Sequence, residues 1–208
     1  MVHVLDTSNL RQMILESPSQ FGVGFDLAKG VSVPGTFRSI MISGMGGSAL
    51  PGNLFRIYLN SLFRAERPEE QPVAVYQNRS YTLPPESFHD CLNFVCSYSG
   101  NTEETVASFE EVLKNKLPCI ALSAGGKIEA MAKEHGVPHV KLPIPYENFQ
   151  PRVGTGYFFG AMFQILVNQG LVRDTTVELL SEAAALKEQL PMLEQQGEAL
   201  ATRMAGKT

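Results

Sequence analysis

Hydrophobic and polar positions alternate between two rhythms along the chain. Three short β-type runs stand out: SIMIS at 39–43, CLNFVCS at 91–97 and CIALS at 119–123. Each leads through a glycine-bearing turn into a segment whose apolar residues recur at helical spacing. After the first run, GMGGSA precedes Leu50, Leu54, Ile57, Tyr58 and Leu62 on one predicted face, with Pro51 in the first turn. A proline there costs little, because its missing N–H has no intrahelical partner anyway. After the second run, YSGNT precedes Val106, Phe109, Leu113 and Leu117; after the third, AGG precedes Ile128, Met131 and Ala132. Weaker strands are PVAVYQ at 72–77 and PHVKLP at 138–143. Five strands interleaved with helices predict an α/β fold with a parallel sheet.

The flanks have a different pattern. Residues 1–35 read as an N-terminal helical segment, its helix capped by Asp6, Thr7 or Ser8, followed by a connector rich in Gly and Val. The central α/β domain is expected over 36–172. Past Arg173, Asp174 or Thr175 opens a long amphipathic helix carrying Leu179, Leu180, Ala183, Leu186 and Leu190. Thr175 and Glu178 have capping-box spacing. Pro191 predicts a break before a second helical piece, because proline removes a helix donor and crowds the preceding turn. This C-terminal extension occupies 173–208.

Composition narrows the chemistry. A chain of 208 residues is long enough for one well-packed domain with some surplus. A net charge of −4 and the lack of any Lys/Arg cluster argue against nucleic acid as a partner. Arg64 and Arg67 sit among Glu66, Glu69 and Glu70 and read as a solvated loop. The most apolar segment, 156–170, is interrupted by Gln164 and is too short to span a bilayer. Cys91, Cys96 and Cys119 lie in strand-like contexts and are expected to pack as reduced small hydrophobes, which suits a cytoplasmic protein.

All three strong strands end in serine: Ser43, Ser97 and Ser123. In parallel α/β sheets the ligand crevice lies beyond the carboxyl ends of the strands, so the three hydroxyls point to a polar site on that edge. Two loops there carry candidate chemistry. In GMGGSA (44–49), Gly44, Gly46 and Gly47 allow backbone amides close to an anion and Ser48 adds a hydroxyl. The same glycines could equally serve tight packing of helix on strand. The spacing also fits a dinucleotide fingerprint, but the second strand ends in Gln77 and Asn78 instead of the acidic residue a nicotinamide ribose needs.

SYSGNT (97–102) says more. Ser97, Ser99 and Thr102 surround a turn that Gly100 permits, and Asn101 or Thr102 falls where a helix N-cap belongs. Hydroxyls and free amides at the positive end of a helix dipole make an uncharged phosphate cradle. An elaborate N-cap is the alternative. Arg152 precedes a glycine turn and an apolar helix, and by itself reads as a surface loop arginine.

Together, ISGMGGSALPGNL (42–54), CSYSGNTEET (96–105), ALSAGGKIEAMA (121–132) and NFQPRVGTGYFFG (148–160) resemble the sugar isomerase (SIS) domain. The likeness is closest to the bifunctional phosphoglucose/phosphomannose isomerase family and covers roughly 36–170, with the motifs in order. It implies a flavodoxin-like αβα sandwich with a five-stranded parallel sheet, extra helices at both ends, and a dimer. It also implies that Ser48, Ser97, Ser99 and Thr102 bind the phosphate of a hexose 6-phosphate, with the Gly46, Gly47 and Gly100 backbone lining the pocket. Arg152 would stabilise charge on the enediolate formed as glucose 6-phosphate or mannose 6-phosphate and fructose 6-phosphate interconvert. No cofactor or metal is expected.

The isomerases resembled carry two such domains, and their catalytic glutamate, histidine and lysine lie beyond the first. The 208 residues are therefore expected to match the N-terminal half, with 173–208 as an extension or linker, and to bind sugar phosphates with little turnover. A stand-alone phosphosugar-binding regulator is the alternative, and a nicotinamide-dependent oxidoreductase a more distant one. The terminal AGKT lacks the first glycine of a phosphate-binding P-loop. His135 and His139 have zinc-like spacing, but Pro138 and a strand pattern keep them off a common helix face.

Overall fold

The computed structural model describes residues 6–66 and 73–206. Five strands, β1 (Ser39–Ser43), β2 (Ala74–Asn78), β3 (Cys91–Cys96), β4 (Cys119–Ser123) and β5 (His139–Lys141), form one sheet in the order β2-β1-β3-β4-β5. Every pairing is parallel, with Ile40 opposite Val75 and Leu92, Phe94 opposite Ile120, and Leu122 opposite Val140. The central strands β1, β3 and β4 are buried along their whole length. This accounts for their near-continuous apolar runs, since a strand covered on both faces has no solvent side on which to place polar residues.

Helices fill both faces. On one, Ile40, Ile42, Leu92, Phe94, Ile120 and Leu122 join a core with α3 (Leu50–Glu66) and α6 (Thr155–Asn168). On the other, Val95 and Ala121 pack with Phe109 and Val112 of α4 (Glu103–Lys114) and Ile128 and Ala132 of α5 (Gly126–His135). Leu117 lies past the end of α4 but still packs against this second cluster.

The helix after β1 meets the core with only part of the face expected, Tyr58 packing edge-on against Phe159 and Phe163. Leu50, Leu54 and Ile57 are exposed, whereas Phe55 and Leu59 are buried and Phe55 stacks on Phe159 at 4.4 Å between ring centroids. Apolar residues occupy more than one side of this helix, and helical spacing cannot say which side meets the core. Arg64 belongs to the last turn of α3 and not to a loop. Arg67, Glu69 and Glu70 lie outside the described residues, as does the start of the predicted second strand.

The Gly/Val connector contains a further helix. After α1 (Leu10–Glu16), α2 (Gln20–Leu27) lies against α6 with backbone nearly touching backbone. A Cβ on Gly24 would sit 2.6 Å from the Tyr157 carbonyl oxygen, and one on Gly160 would sit 2.4 Å from that of Phe21. Glycines that weaken a helix in isolation are here what lets two helices approach. Asp6 supplies the predicted cap: its carboxylate accepts the Leu10 and Arg11 amides at 2.6 and 3.0 Å.

The C-terminal helix α7 (Thr176–Met204) runs unbroken through Pro191. Lys187, four residues earlier, is exposed, so the carbonyl that loses its donor can turn to water. The capping box does not form. The Thr175 hydroxyl meets the Tyr58 hydroxyl at 2.7 Å, and Asp174 accepts the Thr176 amide instead. All three cysteines are buried and free. No helix among the described residues is long and apolar enough to cross a membrane.

Candidate functional site

The strand order reverses direction at β1, whose neighbour β3 begins the run in the opposite sense from β2. Loops leaving adjacent strands at such a switch point diverge and open a crevice at the carboxyl edge. The two loops on either side of it here are residues 44–48, after β1, and 97–102, after β3.

Backbone geometry forces the composition of both. Gly46 has a φ of 52° and Gly100 of 71°, in the left-handed region. Gly44 lies so close to β3 that a Cβ there would be 2.8 Å from the Cys96 carbonyl oxygen. Ser48 joins the loops, its hydroxyl accepting the Tyr98 amide at 3.1 Å. The Ser97 hydroxyl lies 2.9 Å from that of Thr102 and accepts the Gly100 amide at 3.1 Å, while Ser99 accepts the Asn101 amide at 3.3 Å. Thr102 stands at the N-cap of α4 without capping it. The amides of Glu103, Glu104 and Thr105, like those of Gly46 and Gly47, find no acceptor among the described residues.

The four hydroxyls are not equivalent. Ser97 is fully buried and Ser48 is 8% exposed, whereas Thr102 is half-buried and Ser99 is open. Ser97 and Ser48 hold the turns, and Ser99 and Thr102 present the polar surface.

A third segment closes on the same place. The short 3-10 turn Pro151–Val153 packs on the glycine loop, with the Arg152 Cα 3.0 Å from where a Gly47 Cβ would stand. The Arg152 side chain is exposed and has no partner among the described residues. It also borders a cavity of about 270 Å³ walled by Ile14, Ser17, Phe21, Thr155 and Leu186, so the terminal helices reach the edge of the crevice.

Tyr98 fastens this segment and was not anticipated. Its hydroxyl donates to the Pro143 carbonyl, its ring stacks on Phe149 at 5.3 Å, and Gly154 must be glycine because a Cβ would lie 2.7 Å from that ring. Burial pushes the phenol above its ordinary value, so it stays a donor. An aromatic between two serines was the available signal. The three strand-end serines, by contrast, do not converge. Ser43 shares a sheet face with Val95 beneath α4, its hydroxyl buried and unpartnered, and Ser123 is wholly buried between β4 and β5. Only Ser97 of the three belongs to the crevice. Asn78, where a ribose-binding carboxylate would stand, is buried and bonded to Ser108 at 3.0 Å.

Strand order, switch-point loops and hydroxyl-lined turn together define an α/β domain of the sugar isomerase type. Solved structures share the fold: a candidate phosphosugar isomerase from Clostridium difficile aligns over 93% of this chain and 56% of its own with a TM-score of 0.67 at 12% identity. Another, from Salmonella typhimurium, aligns over 92% and 55% with a TM-score of 0.57 at 15% identity. No protein-family model matches the chain. Sequence comparison is more particular, and the relatives it finds include bifunctional phosphoglucose/phosphomannose isomerases. The chain is 34% identical over 181 residues to that enzyme of Aquifex aeolicus and 29% identical over 180 residues to that of Caldicellulosiruptor bescii. These matches take in 87% and 82% of the chain. A D-glucosamine-6-phosphate 4-epimerase of Sulfolobus acidocaldarius is 28% identical over 178 residues. The chain spans about half the length of these relatives, 51%, 50% and 52%.

Proposed function

We infer that the crevice binds the phosphate of a hexose 6-phosphate, and that the chain supplies the phosphate-binding part of an aldose–ketose isomerase. The reaction would interconvert glucose 6-phosphate, and mannose 6-phosphate, with fructose 6-phosphate through a cis-enediolate. The observation that carries this reading is the convergence of the 44–48, 97–102 and 151–153 segments at the switch point. They bring two sets of free amides, three hydroxyl groups of one turn and an unpaired guanidinium to one edge.

In the mechanism, Ser48, Ser97, Ser99 and Thr102, with the Gly46, Gly47 and Gly100 backbone, hold the phosphate and so fix the position of C1 and C2. Hydroxyls and amides hold it without a fixed cation in the turn, which allows product to leave. Arg152 serves the other end of the sugar: moving a proton between C1 and C2 places transient negative charge on oxygen, and a guanidinium aimed there lowers that barrier. A base must also reach the C1 or C2 proton. Glu147, exposed in the segment that leads to Arg152, is the candidate base to test, and its removal is expected to matter little. The chain by itself is expected to bind sugar phosphate with little turnover. A homodimer in the cytoplasm is the expected setting.

Calorimetric titration with fructose 6-phosphate, and with fructose as a control, tests the reading. Replacing Ser97 and Thr102 together with Val should weaken the phosphosugar by at least about tenfold, the order expected for losing hydrogen bonds to a charged group. Unchanged affinity, or equal affinity for fructose, overturns it. The epimerase relative favours one further ligand, glucosamine 6-phosphate, for the same titration.

A further inference from the structure

Behind the phosphate turn lies a half-buried relay that the proposed function does not use. The turn rests on residues 124–126: Ala124 donates its amide to the Tyr98 carbonyl at 2.9 Å, and Ile128 donates to the Gly100 carbonyl at 3.0 Å. The Lys127 amide reaches the Asn101 side-chain oxygen at 3.1 Å. Contact is so close that a Cβ on Gly100 would lie 1.8 Å from the Gly125 carbonyl oxygen. The position of that carbonyl therefore sets the position of the turn.

The Gly125 carbonyl is itself held from below. The Ser123 hydroxyl, fully buried, donates to it at 2.9 Å and lies 2.8 Å from His139 Nε2. A serine has one proton, so with that proton on Gly125 the histidine must donate, Nε2–H to Oγ. The result is a polarised chain from imidazole to hydroxyl to carbonyl, each bond strengthening the next. Burial lowers the His139 pKa, which favours the neutral ring; the Glu129 carboxylate opposes this and the Lys141 ammonium adds to it, and those two groups pair with each other. Nε2 carries its proton in this tautomer and in the charged ring alike.

We propose that Ser123 and His139 are positioning residues for the phosphate turn, acting through the Gly125 carbonyl to fix Gly100. The proposal rests on the reading of that turn as the phosphate site. Neither residue touches ligand. Their role is to keep the amides and hydroxyls of 97–102 aimed before substrate arrives, so that binding does not have to order them.

The test uses Ser123→Ala, His139→Leu and His139→Gln, with amide hydrogen exchange in the ligand-free chain read at Gly100 and Ile128 and fructose 6-phosphate affinity measured alongside. Glutamine places an N–H near the position of Nε2 and restores donation without an imidazole. Exchange at both amides should quicken about tenfold in Ser123→Ala and His139→Leu, the size of one lost buried hydrogen bond, and return close to the parent value in His139→Gln. Affinity should fall and recover in parallel. Equal exchange in all variants overturns the relay whatever the ligand data show. Faster exchange spread through α5 and β5 with no recovery in His139→Gln also overturns it, since that is general loosening. Failure of the parent chain to bind fructose 6-phosphate sinks the phosphate reading separately, because exchange at the turn still judges the relay.

Discussion

Replacing Gly100 with Ala isolates the close packing on which the crevice depends. Two costs are expected. At a φ of 71° an alanine incurs about 1–2 kcal/mol of left-handed strain. Its Cβ would also stand 1.8 Å from the Gly125 carbonyl oxygen, and since that atom is backbone the 124–126 turn must move. Forcing an extra carbon into a filled space costs about 1–3 kcal/mol. Gly136 is the matched control: its φ is 67°, but a Cβ there meets nothing within 4 Å, so Gly136→Ala bears only the strain. Both variants share the small gain from stiffening the unfolded chain, which cancels in the comparison. Urea denaturation should therefore place Gly100→Ala about 1–3 kcal/mol below Gly136→Ala. For a chain of this size that is several degrees in melting temperature, at about 2–4 °C per kcal/mol. Phosphosugar affinity should fall in Gly100→Ala and hold in Gly136→Ala. Equal stability in the two variants would refute the argument that the 97–102 turn is seated on the Gly125 carbonyl.

Two other outcomes follow from packing and burial. Gly24→Ala improves helix propensity by about 0.8–1 kcal/mol, yet its Cβ falls 2.6 Å from the Tyr157 carbonyl oxygen, an overpacking that costs about 1–3 kcal/mol, so the variant should show a net loss of up to about 2 kcal/mol in urea denaturation; a gain would mean the α2–α6 contact is loose. Desolvation pushes all three thiols up, Cys119 to about 11, while the unfolded thiols ionise near pH 8.5–9. Between those values the unfolded chain binds fewer protons, so stability should fall as pH rises above about 9, by up to about 1.4 kcal/mol per pH unit for each thiol. Urea midpoints from pH 8 to 10 measure this, and a flat profile would contradict the thiols' burial.

Local signals in the chain were enough for the five strands, the helices that follow the strong ones, and the two turns at the crevice. Those features answer to neighbours in sequence. SIMIS, CLNFVC and CIALS are apolar throughout because strands covered on both faces must be, and Gly46 and Gly100 supply left-handed backbone that few other residues adopt. What depends on residues far apart could not be read this way. The Leu50–Leu54–Ile57 stripe has the spacing of a buried face, but Phe159, a hundred residues later, selects Phe55 instead. Gly24 looks like a connector residue until Gly160 arrives opposite it. Serines at three strand ends look alike in sequence. Yet the register, which sets Ser43 two residues back from the level of Ser97, and the proximity of His139 to Ser123 keep those two inside the fold and leave Ser97 at the crevice. Sequence pattern by itself determined the strands, the helices that follow the strong ones and the left-handed glycine turns, since those are set by local sterics and periodicity. The tertiary structure alone decided which faces meet and which hydroxyls are spent on packing, because burial and hydrogen-bond partners come from parts of the chain that only folding brings together.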